Sequence, residues 1–273
     1  MAKFADLHIH THYSDSTLSP LEVVEEAHRC GLASIAITDH DTTSGIKPAQ
    51  LAAKDFDLEV IPAIELSSET QGKDIHLLGY FINCSSSILI ETLSKMQDAR
   101  IERMKSMIQK LKSHGINNVD FAEVSSLTQS NAIGRPHLAM ILKEKGWVSS
   151  IPEAFTKYLG EDCPAYVPKF KISSCDAISL IRKSGGIAVL AHPMITNKDE
   201  LIPSFVEAGL KGIEVYYPNY SEVTTRYYEG IAKKHDLIVT GGSDAHGKAR
   251  PSTFIGKVRV PYEIVEKLKG KVV

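Results

Sequence analysis

The chain has 273 residues, 43% of them hydrophobic and 23% charged, with a formal net charge of -2. This composition is ordinary for a globular protein, long enough to bury a core without staples, and it argues against bulk electrostatic binding of nucleic acid while leaving a local positive site open. Cys30, Cys84, Cys163 and Cys175 are scattered without a CxxC pair and read as reduced thiols; no apolar run approaches the roughly 20 residues of a membrane span, and no basic-then-apolar leader precedes Phe4, so the expected setting is the cytoplasm.

Phe4 to His10 reads as a strand whose period of two puts Leu7 and Ile9 on one face and His8 and His10 on the other. A helix follows from Pro20, with Ser19 as N-cap, Glu22 completing a capping box and Gly31 closing it after Cys30. Ser34 to Thr38 is a buried strand ending at Asp39-His40-Asp41. Glu59 to Leu66 carries a strand interrupted at Pro62, and Asp74 to Phe81 another. Residues 85–164 differ. Ser86 to His114 predicts one long helix closed by Gly115, and further helical segments fall around 120–127, 137–145 and 151–158. Strands return at 186–191, 212–215 and 237–240, with helices over 174–183, 199–207 and 221–234. Repeated strand–helix units imply a parallel α/β architecture. Residues 1–84 and 165–273 then form a barrel, and 85–164 a helical insertion that caps it.

Of eleven histidines, His8, His10, His40, His76, His192 and His246 fall in or at the ends of predicted strands, as do the carboxylates Asp15, Glu65 and Asp244. In a parallel barrel that end is where active sites form. His8 and His10, two apart in a strand, face one metal; Ser243-Asp244-Ala245-His246 repeats the spacing after Gly241-Gly242, glycines that allow close backbone approach. Six imidazoles and three carboxylates at one rim match no ordinary core, since burying them without metal is costly. Histidine and carboxylate without thiolate suit Zn, Mn or Fe. Three divalent ions, offset by the three carboxylates and a hydroxide, keep about +2 in the pocket, which favours an anionic substrate and phosphoryl transfer.

The set Asp6-Leu7-His8-Ile9-His10-Thr11, Ser14-Asp15, Thr38-Asp39-His40-Asp41, Glu65, His76, Ala191-His192-Pro193 and Gly242-Ser243-Asp244-Ala245-His246 resembles the polymerase and histidinol phosphatase (PHP) superfamily, with all nine ligand positions in order. The resemblance implies a distorted seven-stranded (β/α) barrel with two or three divalent ions. Within the superfamily the chain looks most like the branch of nucleoside 3′,5′-bisphosphate phosphatases and 5′→3′ exoribonucleases, through Thr38 to Thr42 followed by Gly45, the long helix, and Ile133-Gly134-Arg135-Pro136-His137. That branch implies hydrolysis of the 3′-phosphate of small nucleotides, or of short 5′-phosphorylated oligonucleotides, by a cytoplasmic enzyme with no stable protein partner. His8, His10, Glu65 and Asp244 would hold a first metal, Glu65, His76 and His192 a second, and Asp15, His40 and His246 a third. Asp15, His40 and Glu65 would act in catalysis, and Arg135 with His137 would bind substrate. Ser16 stands where the family commonly has glycine. His12 is an extra histidine read as a solvated loop residue, and Tyr217 to Tyr220 are candidates to line the pocket. Arg100, Arg103, Lys105, Lys110 and Lys112 read as a solvated helix face.

The alternatives are a histidinol-phosphate phosphatase, an amidohydrolase and a non-catalytic PHP scaffold. Glu65, where an amidohydrolase usually has a bridging lysine, weighs against the second; the intact ligand set weighs against the third.

Overall fold

The structure, a computed structural model, describes residues 2–168 and 170–272. In chain order the elements are β1 (Phe4–Ile9), α1 (Pro20–Arg29), β2 (Ser34–Ile37), α2 (Ile46–Ala52), β3 (Glu59–Thr70), β4 (Lys73–Tyr80), α3 (Ser87–Ser113), α4 (Phe121–Ser125), α5 (Arg135–Glu144) and α6 (Ile151–Ala154). Then come β5 (Ile172–Ser173), α7 (Ser174–Lys183), β6 (Ile187–Leu190), α8 (Pro193–Thr196), α9 (Ile202–Ala208), β7 (Gly212–Tyr216), α10 (Glu222–Lys234), β8 (Ile238–Gly241), β9 (Val260–Pro261) and α11 (Tyr262–Lys269).

The strand order is β8-β7-β6-β4-β3-β2-β1-β9, with β5 beside β3. The sheet closes on itself at one rim. There the Asp244 N–H donates to the His8 carbonyl at 2.8 Å, and the His10 N–H to the Ala245 carbonyl at 3.1 Å. Seven strands thus make the distorted barrel, and β5 and β9 are two-residue additions.

The expected all-parallel arrangement is not what forms. β4 runs antiparallel to both neighbours, β3 and β6. The reason is local: Thr70 pairs with Lys73, so only Gln71 and Gly72 lie between the strands. Both take positive φ, 53° and 73°, the conformation that a tight two-residue hairpin turn requires. A parallel crossover needs a dozen or more residues.

Two other strand expectations change. β3 runs unbroken through Pro62. Pairing with β2 ends at Pro62 and pairing with β4 begins at Ala63, so the missing N–H falls where one ladder gives way to the next. In β1 the register slips between Asp6 and Ile9. Leu7 therefore packs with Ala36, Ile61 and Tyr80, while Ile9 joins the layer between sheet and helices. The irregularity separates Leu7 from Ile9, while His8 and His10, two apart, still share the rim.

Helix starts follow the sequence. Ser19 and Glu22 form the reciprocal capping box at α1, with Pro20 in the first turn. In the helical stretch 87–159, Met107, Leu111, Val124, Leu138 and Leu142 build a core of their own. α3 belongs to two cores: Leu89, Leu93 and Met96 pack on the barrel side, and Met104 to Leu111 on the helical side. No described helix is long and apolar enough to cross a membrane.

Candidate metal centre

The barrel rim gathers the nine ligand-type side chains from seven segments. His8 and His10 come from the end of β1, Asp15 from the loop after it, and His40 from the residues that extend β2. Glu65 and His76 lie diagonally across the hairpin, and His192, Asp244 and His246 follow β6 and β8. Because β4 is reversed, its first half reaches the same rim as the second half of β3, and His76 lies beside Ser67. Backbone bonds set the rest. The Asp41 N–H donates to the Glu65 carbonyl at 3.0 Å and the Glu65 N–H to the Asp39 carbonyl at 3.3 Å, holding His40 against Glu65; the Ala191 N–H donates to the His76 carbonyl at 3.1 Å.

Three sets of donor atoms converge, each within 4.8 Å of one another: His8, His10, Glu65 and Asp244; His10, Asp15, His40 and His246; and His40, Glu65 and His76. Glu65 sits at the centre. One carboxylate oxygen is 3.2 Å from Nε2 of both His8 and His10, and the other is 2.8 Å from His76 Nδ1 and 3.0 Å from His192 Nε2. His40 thus touches two of the three sets. His10 and His246 stack with ring centroids 4.1 Å apart.

Proximity does not mean satisfaction. Among the described residues, both ring nitrogens of His10, Nδ1 of His40, His76 and His192, Nε2 of His246 and Oδ1 of Asp15 are buried without a hydrogen-bond partner. Each such atom costs about 1–3 kcal/mol. A divalent cation accepting those lone pairs removes the cost, so the residues fit a metal.

Charge tells the same story. Burial pushes Glu65, Asp15 and Asp244 towards protonation, but the surrounding imidazoles, and Arg250 for Asp244, outweigh it and hold all three well below the usual carboxylate range. Burial pushes His40 down to about 3 against the pull of Glu65 and Asp15, leaving a neutral ring able to ligate. Burial also opposes charge on His10, yet Asp244 and Glu65 raise it to about 9.

Around the ligands stands a second layer, of which the sequence reading overlooked Glu214 and Arg250. Glu214, fully buried on β7, accepts from His8 Nδ1 at 3.0 Å and from the His192 N–H at 2.8 Å, so one carboxylate orients two ligands. A charged residue inside Gly-Ile-Glu-Val-Tyr was the available signal. Asp39 accepts from the Thr11 N–H and hydroxyl and from the Ser14 hydroxyl at 2.6–2.7 Å, tying the Asp15 loop to β2. Tyr217 donates to Asp244 at 2.7 Å, and Arg250 pairs with the same oxygen. Nothing in the sequence pattern distinguished Arg250. Strain collects here too: His192 and Asp244 hold φ of 27° and 48°. A Cβ on Gly242 would lie 2.3 Å from the His8 nitrogen, so the close approach expected of that glycine is present.

A cavity of about 310 Å³ opens on the cluster. Asp15, His40 and His76 line it, together with Arg100, Arg103 and Arg135. Of the basic residues on α3, Lys105, Lys110 and Lys112 are exposed as expected, but Arg100 and Arg103 are not. Arg100 and Arg103 are 7% and 9% exposed. Arg100 pairs with Asp41 and donates to the Ile133 carbonyl, and Arg103 donates to the Val167 carbonyl. Arg135 donates to the Leu159 carbonyl and lies over the rings of Phe155 and Tyr166. Burial, then the neighbouring Arg135 and Arg100, lower Arg103 to about 10. His137, read from sequence as a substrate contact, is instead a buried peg. Its Nε2 bonds the Ser14 carbonyl at 2.8 Å and its Nδ1 accepts the Gly134 N–H at 3.0 Å, so both nitrogens are engaged away from the cavity. Ser16 avoids the left-handed region, so serine fits where the family commonly has glycine. His12 is half-buried, its ring edge-on to Tyr13.

Comparison with known proteins agrees with this geometry. The sequence pattern of the PHP domain matches residues 6–238. The chain belongs to the PHP domain family. It is 33% identical to the 5′-3′ exoribonuclease Rnm of Escherichia coli, over 88% of this chain and 84% of that one. It is 31% identical to a 3′,5′-nucleoside bisphosphate phosphatase of Chromobacterium violaceum, over 92% and 90%. The crystal structure of a Bifidobacterium adolescentis protein assigned as a metal-dependent phosphoesterase superposes with a TM-score of 0.91 at 29% identity, covering 100% of this chain and 98% of that one. Within the PHP family, this chain is a metal-dependent phosphoesterase.

Proposed function

We propose that the enzyme removes the 3′-phosphate of nucleoside 3′,5′-bisphosphates and accepts short 5′-phosphorylated oligonucleotides, using two or three divalent ions of Mn, Zn or Fe. One observation carries the reading. A single cavity is lined both by the ligand cluster and by Arg100, Arg103 and Arg135, so it suits a substrate with two phosphates on one nucleoside. The two named relatives act on such nucleotide and RNA substrates.

The ligand sets would be His8, His10, Glu65 and Asp244; Glu65, His76 and His192; and Asp15, His40 and His246. Cations bound there supply Lewis-acid chemistry, activating water and neutralising the phosphoryl group. The protein does the positioning. Arg103 and Arg135 orient the 5′-phosphate through planar donor pairs, and Arg100 braces the Asp41 turn behind His40. Glu214 keeps the His8 ring in its ligating tautomer and anchors the backbone that carries His192. Residues 85–164 act as the cap that supplies the arginines and restricts water.

A panel of adenosine 3′,5′-bisphosphate, a 5′-phosphorylated short RNA and histidinol phosphate, each with Mn²⁺, tests this. The first two should be hydrolysed and the third far more slowly. Inertness towards all three, or a preference for histidinol phosphate, would remove the reading.

A further inference from the structure

Arg250 lines two depressions that meet at the rim. One holds the arginine wall; the other is a groove of about 370 Å³ walled by Met194, Ile195, Tyr217 and Tyr220. Met194 and Ile195 sit on α8, directly after His192, and are 51% and 62% exposed. Asn197, with φ of 51°, ends that helix after a single turn, so both apolar side chains stay beside the ligand that precedes them. The Met194 N–H donates to the Tyr220 hydroxyl at 2.9 Å. The Tyr217 ring lies 5.2 Å from Tyr220 and 5.7 Å from His192, and its hydroxyl reaches Asp244.

A lone exposed apolar residue is unremarkable. Here two of them and two tyrosines form a continuous face whose foot touches metal-ligating side chains. A phosphomonoester has nothing to place there, because its transferred phosphoryl group ends in bare oxygens. A phosphodiester carries a second nucleoside on that same phosphorus.

We infer that this groove binds the base of the second nucleoside of a 5′-phosphorylated oligonucleotide. The inference rests on the phosphoesterase reading and extends it to a site on the far side of the scissile bond. The first nucleoside keeps its 5′-phosphate on the arginine wall, and the chain leaves past Arg250. Water adds to phosphorus, the bond from phosphorus to the 3′-oxygen breaks, and that oxygen takes up a proton. The phosphoryl group stays on the 5′-oxygen of the second nucleoside. The products are a nucleoside 5′-monophosphate and a shortened chain with a new 5′-phosphate. In a bisphosphate the same bond breaks and inorganic phosphate leaves. The groove therefore adds affinity for a chain without changing the chemistry, and stacking on apolar and aromatic side chains tolerates any base.

The test uses the Mn²⁺-loaded enzyme with adenosine 3′,5′-bisphosphate, a 5′-phosphorylated dinucleotide, and the same dinucleotide lacking its second base. The full dinucleotide should exceed the abasic one about ten-fold in kcat/KM, mainly through KM, as stacking of one base predicts. The Met194→Ala/Ile195→Ala variant should bring that ratio close to one. An uncleavable analogue with 2-aminopurine as its second base should lose fluorescence on binding the wild-type enzyme and less on binding the variant. If the bisphosphate is hydrolysed but the second base makes no difference, or the ratio survives in the variant, the groove assignment alone is overturned. If none of the three is hydrolysed, the phosphoesterase reading and the groove fall together.

Discussion

The barrel rim and the helical wall above it both present concentrated charge, but they are built differently. At the rim, ligands from seven segments are locked by backbone ladders and by buried carboxylates such as Glu214 and Asp39, and their own polar atoms are left unsatisfied. In the wall, Arg103 and Arg135 are held by carbonyls and aromatic faces. On the proposed function the rim would hold cations and the wall an anion. The first should decide whether turnover occurs, and the second what is turned over.

Four experiments sharpen or break that division. Removing metal by chelation should abolish hydrolysis, and Mn²⁺ should restore it; activity that survives exhaustive chelation, checked by elemental analysis, would erase the distinction. His40→Ala should lower kcat by about 10³-fold or more with the circular dichroism spectrum unchanged, because His40 shares a ligand set with Asp15 and His246 and lies 3.3 Å from Glu65, which belongs to the other two sets. Wild-type turnover would show that these sets do not act together. Glu214→Gln should weaken metal affinity by about 10–100-fold, read by metal titration. Arg135→Ala should raise KM for a 3′,5′-bisphosphate by about ten-fold or more while leaving metal content intact. A matching KM rise for a monoester without a 5′-phosphate would place Arg135 outside substrate selection.

The rim was legible because most ligands stand at strand ends in short local patterns, such as His8-Ile9-His10 or Asp244-Ala245-His246, whereas Glu65 and His76 lie mid-strand and stood out only within the whole set. The wall was not. Period and composition cannot tell a buried arginine from a solvated one, and α3 hides its role by packing opposite ends into different cores. The slip in β1 was equally invisible, since strict alternation places Leu7 with Ile9. His137 misled for another reason: its neighbourhood is the site's, yet its ring nitrogens are spent on Ser14 and Gly134.

The two-residue turn at Gln71-Gly72 gives the metal centre an indirect dependence. It sets which residue of β4 faces Ser67, and side chains on a strand alternate sides. Inserting one residue in that turn would swing His76 to the outer surface and bring Ile75 or Leu77 inward against Glu65. The enzyme would lose a ligand with every ligand codon intact, so length, rather than residue identity, is the quantity under constraint at this surface loop.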